Sequence, residues 1–368
     1  VGFTLSSGID SSSLVSSVGN KKTKFQTYTA NFNTYNFKNS EKFNFKNNIE
    51  INESILVNKL ASDKNLNSNI INVQYNNYSN DLKKIIYFLE SGHNSPAIFP
   101  LFQVLEFAKN DITVVLEGQG ADELLAGYIS NVTPIIFLEY LKKIHIKSAI
   151  NTIRNFLKTY SFKAMFMLFI RSGNFKLINK LYFIYSKKEK VFLNQLKKYK
   201  HLDDYPLKPT GFDNILNKHL YKSHTGGLVN LLHYGDAISM AHSLESRLPF
   251  MDYRLVEFVF TLPSEFKISK GFGKYIHRKS MQGIVPDYIL NNPYKFGFDS
   301  PLAFLFSSDF SNSPKEILLS DKCIKRGLFS KKYLEKLFEK QKNNTSDNSR
   351  FLFRLLNVEL WFRNFIDN

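Results

Sequence analysis

The stretch Val1-Gly2-Phe3-Thr4-Leu5-Ser6-Ser7-Gly8-Ile9-Asp10-Ser11-Ser12 sets the reading of everything after it. Residues 1–5 are apolar and predict a buried strand, while Ser13, Leu14, Val15 and Val18 begin a helical run. Between them stand hydroxyls, a glycine and an aspartate. Backbone N–H groups at a helix N-terminus suit an anion, and small residues let it come close, so this is the outline of a phosphate-binding turn. It is not the Walker turn, because the G-x-x-x-x-G-K-[ST] pattern with its lysine is absent. An ordinary serine-rich helix cap has the same outline, and the stretch alone does not choose between the two.

The chain that follows alternates. Residues 24–32 read as a strand, with Phe25, Tyr28 and Ala30 interleaved with β-branched Thr27 and Thr29. Residues 33–50 are a polar, Asn-rich loop, and Ile55, Leu56, Leu60 and Ala61 give 51–64 a helical spacing. Residues 70–75 are expected as a strand, 81–90 as a helix, 91–96 as a turn-rich loop, then a helix through Phe107 and a strand over 112–116. Alternation of this kind predicts an α/β fold, a parallel sheet with helices on both faces, in which ligands sit beyond the carboxyl ends of strands. There the sequence places Glu117-Gly118-Gln119-Gly120-Ala121-Asp122-Glu123, before a helix begins at Leu124, Leu125, Ala126, Gly127 and Tyr128. Asp10 and Asp122 therefore both fall just past strand ends. Two carboxylates beside a polyphosphate need a cation, and magnesium, which takes one or two carboxylates plus phosphate oxygens, is the expected one.

Residues 201–230, with Pro206, Pro209 and Gly211, read as a loop. A helix from Leu231 carries Tyr234, Asp236, Ser239, Met240 and His242 into Ser243-Leu244-Glu245-Ser246-Arg247-Leu248-Pro249-Phe250-Met251-Asp252. Charges among core-like residues are normally paired, so Glu245 and Arg247 are expected as an internal ion pair shaping a pocket wall. Gly271-Phe272-Gly273-Lys274-Tyr275-Ile276-His277-Arg278-Lys279 opens a strongly basic helix, and Asn292-Pro293-Tyr294-Lys295-Phe296-Gly297-Phe298 is a loop. Lys274 and Lys295 are better placed than most lysines to meet a phosphate. Residues 351–365, with Trp361, are an apolar helix.

A chain of 368 residues, 43% hydrophobic and 22% charged, folds rather than staying disordered. Its single cysteine, Cys323, excludes an intramolecular disulfide and a cysteine metal cluster, which fits a reducing, cytoplasmic setting. The most apolar run, near 165–170, is far short of the roughly 20 residues that span a bilayer. The net charge of +17 is local: over 139–200 fifteen Lys or Arg face two acidic residues, fifteen minus two leaving +13. That distribution argues against nucleic acid. Ile150, Ile153, Phe156, Leu157 and Tyr160 recur at helical spacing there, so the stretch is either a solvated helical insert or a basic amphipathic surface for peripheral membrane contact.

Residues 6–12 resemble the Ser-Gly-Gly-x-Asp-Ser loop of the ATP pyrophosphatases, with Ser7 where that family usually has its first glycine. Taken with 118–128, with 239–252 and with Lys274 and the 295–298 loop, the chain resembles the synthetase domain of the glutamine-dependent asparagine synthetases, which is Rossmann-like (adenine nucleotide alpha hydrolase-like) with a mainly helical C-terminal part. That resemblance implies a nucleotide-binding core over 1–138, a basic helical insert and loop over 139–230, and a helical part over 231–368 that completes the site. It implies adenylation of a carboxylate by ATP with magnesium on Asp10 and Asp122. Ser6, Ser7, Gly8, Ser11 and Ser12 would cradle pyrophosphate, Thr4, Ala30, Glu117 and Gly118 would line the adenosine site, and Lys274, helped by Lys295, would neutralise charge on the phosphates. Ammonia would then attack the acyl-adenylate. The implied partners are aspartate or a related carboxylate, ammonia from a glutaminase domain expected ahead of Val1 and not in this chain, and a second copy in a homodimer. Gln119 stands where asparagine synthetases usually have a glutamate expected to help accept ammonia's proton; Glu117 or Glu123 would then substitute, or the proton leaves another way. A family cyclase of beta-lactam or lasso-peptide type, or a non-catalytic nucleotide-binding partner, are the other readings that Ser7 and Gln119 leave open.

Overall fold

Phe3 and its neighbours are buried on both sides, and a strand buried on both faces belongs in the middle of a covered parallel sheet. The computed structural model, which describes residues 1–18, 25–32, 53–171, 211–292, 302–307, 313–343 and 345–367, places it there. Strand β1 (Gly2–Thr4) leads into helix α1 (Ile9–Ser17), β2 (Gln26–Asn31), α2 (Glu53–Asp63), β3 (Asn67–Asn72), α3 (Tyr78–Leu89), α4 (Ile98–Ala108) and β4 (Val114–Leu116). The five-stranded sheet runs β3-β2-β1-β4-β5, with β5 at Glu245–Arg247, and every pairing is parallel. One face is covered by α1 and α2 through Phe3, Leu5, Val15, Val57 and Leu60. The other packs α3, α4 and the helix Ser349–Phe365 into the largest core, around Phe99, Phe102, Leu105, Phe353 and Leu356. The predicted α/β class with helices on both faces is what the chain adopts.

Beyond β4 come α5 (Ala121–Leu125), α6 (Ile129–Lys142), α7 (Ile146–Thr159), α8 (Phe162–Arg171), α9 (Ile215–Lys222) and α10 (Leu228–Ala241). Val132, Ile136 and Tyr140 of α6 pack with Ala149 of α7 and Leu216 and Leu220 of α9 in a second, smaller core. Glu139 pins it. Fully enclosed, its carboxylate accepts from Leu216 N–H at 3.0 Å, Ser264 Oγ at 2.7 Å and Lys143 Nζ at 2.9 Å, which meets the requirement that a buried charge be paired. By length and composition Ala121–Lys142 is apolar enough to cross a membrane, but half of it is buried in the protein and it breaks at Ala126, whose φ is 58°.

Three expectations are corrected. Residues 215–230 are not a loop: Asn214 accepts from Asn217 N–H at 2.6 Å to cap α9, and a π-helical turn, Ser223–Gly227, joins it directly to α10, so the helix expected from Leu231 begins at Leu228. Leu216 and Leu220, one turn apart and buried, outweigh the Gly226-Gly227 pair that reads as a breaker. Strand β3 lies three residues earlier than expected, because its register is set by pairing from Gln26↔Asn67 to Asn31↔Asn72 on an edge where polar residues are tolerated. Glu245 and Arg247 are not internal. They alternate outward on the edge strand β5 and pair at 2.9 Å in solvent, an arrangement worth at most about 1 kcal/mol. The loops expected at 33–50 and 293–298, Lys295 included, lie outside the described residues, as do 172–200 of the basic stretch.

Candidate active site

In a parallel sheet the chain runs outward on both sides of the first strand, and the crevice that opens there, beyond the carboxyl ends, is where ligands sit. Here the crevice lies between β1 and β4, neighbours in space and more than a hundred residues apart in sequence. The loop after β1 is drawn tight by its own hydroxyls. Ser11 Oγ accepts from Ser6 N–H at 3.1 Å, and Gly8 N–H donates to Ser6 Oγ at 3.2 Å. The backbone at Ser7 does not take the left-handed conformation that would demand glycine, so the serine there is no obstacle to the turn.

The loop after β4 closes on the first. A Cβ at Gly118 would lie 2.8 Å from Asp10 Cβ and 2.9 Å from Ser11 N, so only glycine lets the two loops meet. Glu117 hydrogen-bonds to Ser246 Oγ at 2.6 Å; Ser246 is the inward residue of β5, between the outward Glu245 and Arg247. Its enclosure pushes the Glu117 carboxyl above the ordinary range, with Ser246 pulling the other way.

Lys274 arrives from far along the chain. After α11 (Tyr253–Thr261) and α12 (Ser264–Lys267), strands β6 (Ile268–Ser269) and β7 (Phe272–Gly273) form a two-residue hairpin on Lys270 and Gly271, both at positive φ as such a turn requires. The hairpin seats against the α5–α6 junction: Lys274 N–H donates to Leu125 O at 2.9 Å, and a Cβ on Gly273 would strike Ala126 O at 2.2 Å. Lys274 itself is held at φ 55° ahead of α13 (Tyr275–Ser280), a conformation that costs a non-glycine residue about 1–2 kcal/mol. Its ammonium lies 2.6 Å from Asp122 Oδ1 and also contacts Asp10 Oδ2. Two carboxylates that share one nitrogen are no further apart than about 6 Å, two hydrogen-bond lengths. Burial pulls the Lys274 ammonium below the usual lysine value, and Asp10 is the main influence opposing it.

These groups line one cavity of about 430 Å³, within the range of small-molecule sites. Thr4, Ser6, Ser7, Gly8, Asp10, Ser11, Ala30, Glu117, Gly118, Gln119, Asp122 and Lys274 are all on its wall. Ser12 is fully buried behind the loop, its Oγ 3.5 Å from Ser6 O. Glu123 also stands behind the wall, accepting from the Tyr128 hydroxyl at 2.8 Å, so Tyr128 and not Glu123 faces the cavity. Burial raises the Glu123 carboxyl above its ordinary range, against the pull of Tyr128.

Several wall residues were not singled out as site residues in the sequence. Arg278, one turn after Lys274, donates to Gly273 O and Leu290 O and lies over the Phe272 ring at 5.1 Å, which ties the hairpin to the next helix. Behind the wall, His277 Nε2 meets Ser13 Oγ at 2.8 Å, joining α13 to α1 and so Lys274 to Asp10. The Gly-x-Gly-Lys-x-x-His-Arg spacing hints at these, but which helix would receive them is a tertiary matter.

The asparagine synthase family profile matches residues 1–363. The chain belongs to the asparagine synthase family. It is 26% identical over 381 aligned positions to asparagine synthetase [glutamine-hydrolyzing] 1 of Bacillus subtilis (strain 168), covering 98% of this chain and 55% of that protein. It is 26% identical over 298 positions to the putative asparagine synthetase [glutamine-hydrolyzing] of Mycobacterium bovis, covering 78% and 45%. A shorter stretch of 88 residues, 23% of this chain and 14% of the relative, is 42% identical to asparagine synthetase [glutamine-hydrolyzing] 3 of Bacillus subtilis (strain 168). The chain thus spans about half the length of the relatives it matches.

Within this family member, Gln119 fills a structured position. Its side chain hydrogen-bonds to Tyr234 and packs on Gly235, where a Cβ would come within 3.1 Å of its Oε1. Tyr234 packs edge-on to His93 at 4.8 Å. The Nδ1 of His93 accepts from Ser95 N–H at 3.0 Å, and burial keeps the ring below its usual pKa, hence neutral. A neutral amide and a phenol therefore form this end of the cavity, with the His93 ring packed behind the phenol.

Proposed function

We propose that the chain is the synthetase part of an ATP-dependent carbon–nitrogen ligase, which adenylates a carboxylate and passes the acyl group to an amine, ammonia in the simplest case. The observation that carries this is the meeting of Asp10, Asp122 and Lys274 at the carboxyl ends of β1 and β4. The donor set suits the cofactor: two carboxylates already share a cation, the lysine ammonium, and hard oxygen donors are what magnesium takes. Magnesium, when bound by Asp10 and Asp122, would withdraw charge from the phosphate oxygens of ATP.

Residues 6–12 offer backbone N–H groups and hydroxyls to the pyrophosphate end, while Thr4, Ala30 and Gly118 bring backbone close to the nucleoside. The carboxylate oxygen of the acceptor attacks the α-phosphorus and pyrophosphate departs; Lys274 supplies positive charge where negative charge builds, an effect worth about 3–4 kcal/mol in a water-poor site. The amine nitrogen then attacks the acyl carbon, AMP leaves, and the amine loses a proton. Gln119 has no basic atom to take it. Glu117, whose carboxyl is made more basic by burial and stands on the wall, is the nearer candidate than the screened Glu123. Aspartate is the acceptor the family suggests. The neutral amide-and-phenol corner formed by Gln119 and Tyr234 favours a second reading, in which another carboxylate is amidated or cyclised.

The test is product analysis. With magnesium-ATP, an ammonium salt and a panel headed by aspartate, pyrophosphate and AMP should form in equal amounts; ADP and phosphate would reject the mechanism. Absence of any magnesium-ATP binding by titration calorimetry would instead favour a non-catalytic family member.

A further inference from the structure

We propose that the turn joining α6 to α7 is a docking tip for an anionic lipid surface. It rests on a part of the molecule that the ligase reading does not use. Residues 141–147, Leu141-Lys142-Lys143-Ile144-His145-Ile146-Lys147, are exposed without exception. Three aliphatic side chains there are in solvent, Leu141 40% exposed, Ile144 81% and Ile146 50%, and Ile150, one turn further into α7, adds a fourth at 61%. Single exposed aliphatics are ordinary, but a run of four around one turn is not.

Helical geometry sorts the rest of α7. At 100° per residue, Ile146, Ile150, Ile153 and Leu157 fall along one narrow stripe, with Lys147, Arg154 and Lys158 along the adjoining one. Ala149 and Phe156, on the other flank of the stripe, are the residues buried against the protein. From 139 to 171 there are seven basic residues and one acid, and that acid, Glu139, is enclosed and already engaged. Phe162 and Phe166 of α8, one turn apart and 68% and 55% exposed, flank Lys163 and repeat the pattern.

The occupant follows from what each candidate would leave unsatisfied. A second copy would bring like charges together. An acidic protein surface would answer the lysines but leave the isoleucines in water. The boundary of an anionic bilayer answers both, with phosphates for the lysines and acyl chains for the aliphatics. Helix α6 starts at Ile129 on the cavity wall, and its 14 residues, at 1.5 Å each, put the tip about 20 Å from the mouth. Docking therefore leaves the site open, and turnover of soluble substrates is independent of it.

The experiment is co-sedimentation of the full chain with phosphatidylcholine vesicles, with and without phosphatidylglycerol. Binding should require the anionic lipid and weaken with salt. Lys142→Gln with Lys147→Gln should lower it about 25-fold, about fivefold per charge. Ile144→Ser with Ile146→Ser should lower it at least tenfold, while the urea midpoint and any soluble-substrate turnover stay unchanged. Equal binding to neutral vesicles, or anionic binding that ignores all four substitutions, would overturn the proposal. So would binding to soluble polyglutamate as tight as to vesicles, or a dimer in sedimentation velocity that the isoleucine substitutions dissolve.

Discussion

Replacing Lys274 by methionine keeps the length of the side chain and removes its charge. In the structure one ammonium serves Asp10 and Asp122 together, and all three side chains are nearly enclosed. Removing one member of a buried ion cluster typically costs about 3–5 kcal/mol, because the remaining charges stay desolvated and here repel each other. Unfolding entropy of about 2.1 cal/mol/K per residue, over 368 residues, gives roughly 0.8 kcal/mol/K, so Tm should fall by about 4–6 °C if the chain unfolds as one unit. Differential scanning calorimetry measures it. The same variant should release pyrophosphate about 10²- to 10³-fold more slowly. Magnesium discriminates between the specific account and a general loss of packing. A divalent ion can take the place of the ammonium between the two carboxylates, so added magnesium should raise the Tm of Lys274→Met by several degrees and that of the wild type by less. A variant whose Tm matches the wild type in EDTA, or that gains nothing from magnesium, would refute the reasoning.

Three further outcomes are expected. Gly118→Ala places a Cβ 2.8 Å from Asp10 Cβ and 2.9 Å from a backbone nitrogen, neither of which is a flexible chain end, so magnesium-ATP affinity should drop at least tenfold in titration calorimetry. His277, buried against Phe250 and Ser13, has its pKa pulled down to about 4 by burial. Unfolded, the ring takes up a proton below about 6.5, so stability is full above that pH and falls as pH drops towards 4, by up to about 3 kcal/mol; urea midpoints for the wild type should show this slope and His277→Gln should flatten it. Gln119→Glu should raise amide formation from ammonium several-fold while leaving pyrophosphate release in the absence of an amine unchanged; no gain would show that the proton leaves by another route.

Much of the N-terminal half, the sheet and its helices, was legible because its signals are local. Apolar runs of three to six residues, each followed by small and acidic residues and then a helical spacing, are read from neighbours in the chain, and β1, β2, β4 and their helices lie within a few residues of where the sequence puts them. The C-terminal half was harder. The Gly226-Gly227 pair looks like a break, yet a π-helical turn carries the helix through it, since Leu216, Leu220 and Leu228 are held by partners distant in sequence. Glu245 and Arg247 look enclosed because Leu244 and Phe250 around them are, whereas the pleat of an edge strand turns both into solvent and only Ser246 inward.

By itself the sequence determined that a parallel sheet would form, that its strand ends would carry Asp10 and Asp122, and that basic charge would gather after residue 138. Hydrophobic periodicity and turn chemistry act over a handful of residues, and so they can be read along the chain. Only the tertiary structure decided that the two aspartates share one lysine ammonium, that Tyr128 screens Glu123, that His277 links the helix of Lys274 to the helix of Asp10, and that the isoleucines at the α6–α7 turn remain in water. Each of those depends on the docking of elements dozens to hundreds of residues apart. Docking of that range is set by the summed fit of whole faces, and no local pattern encodes it.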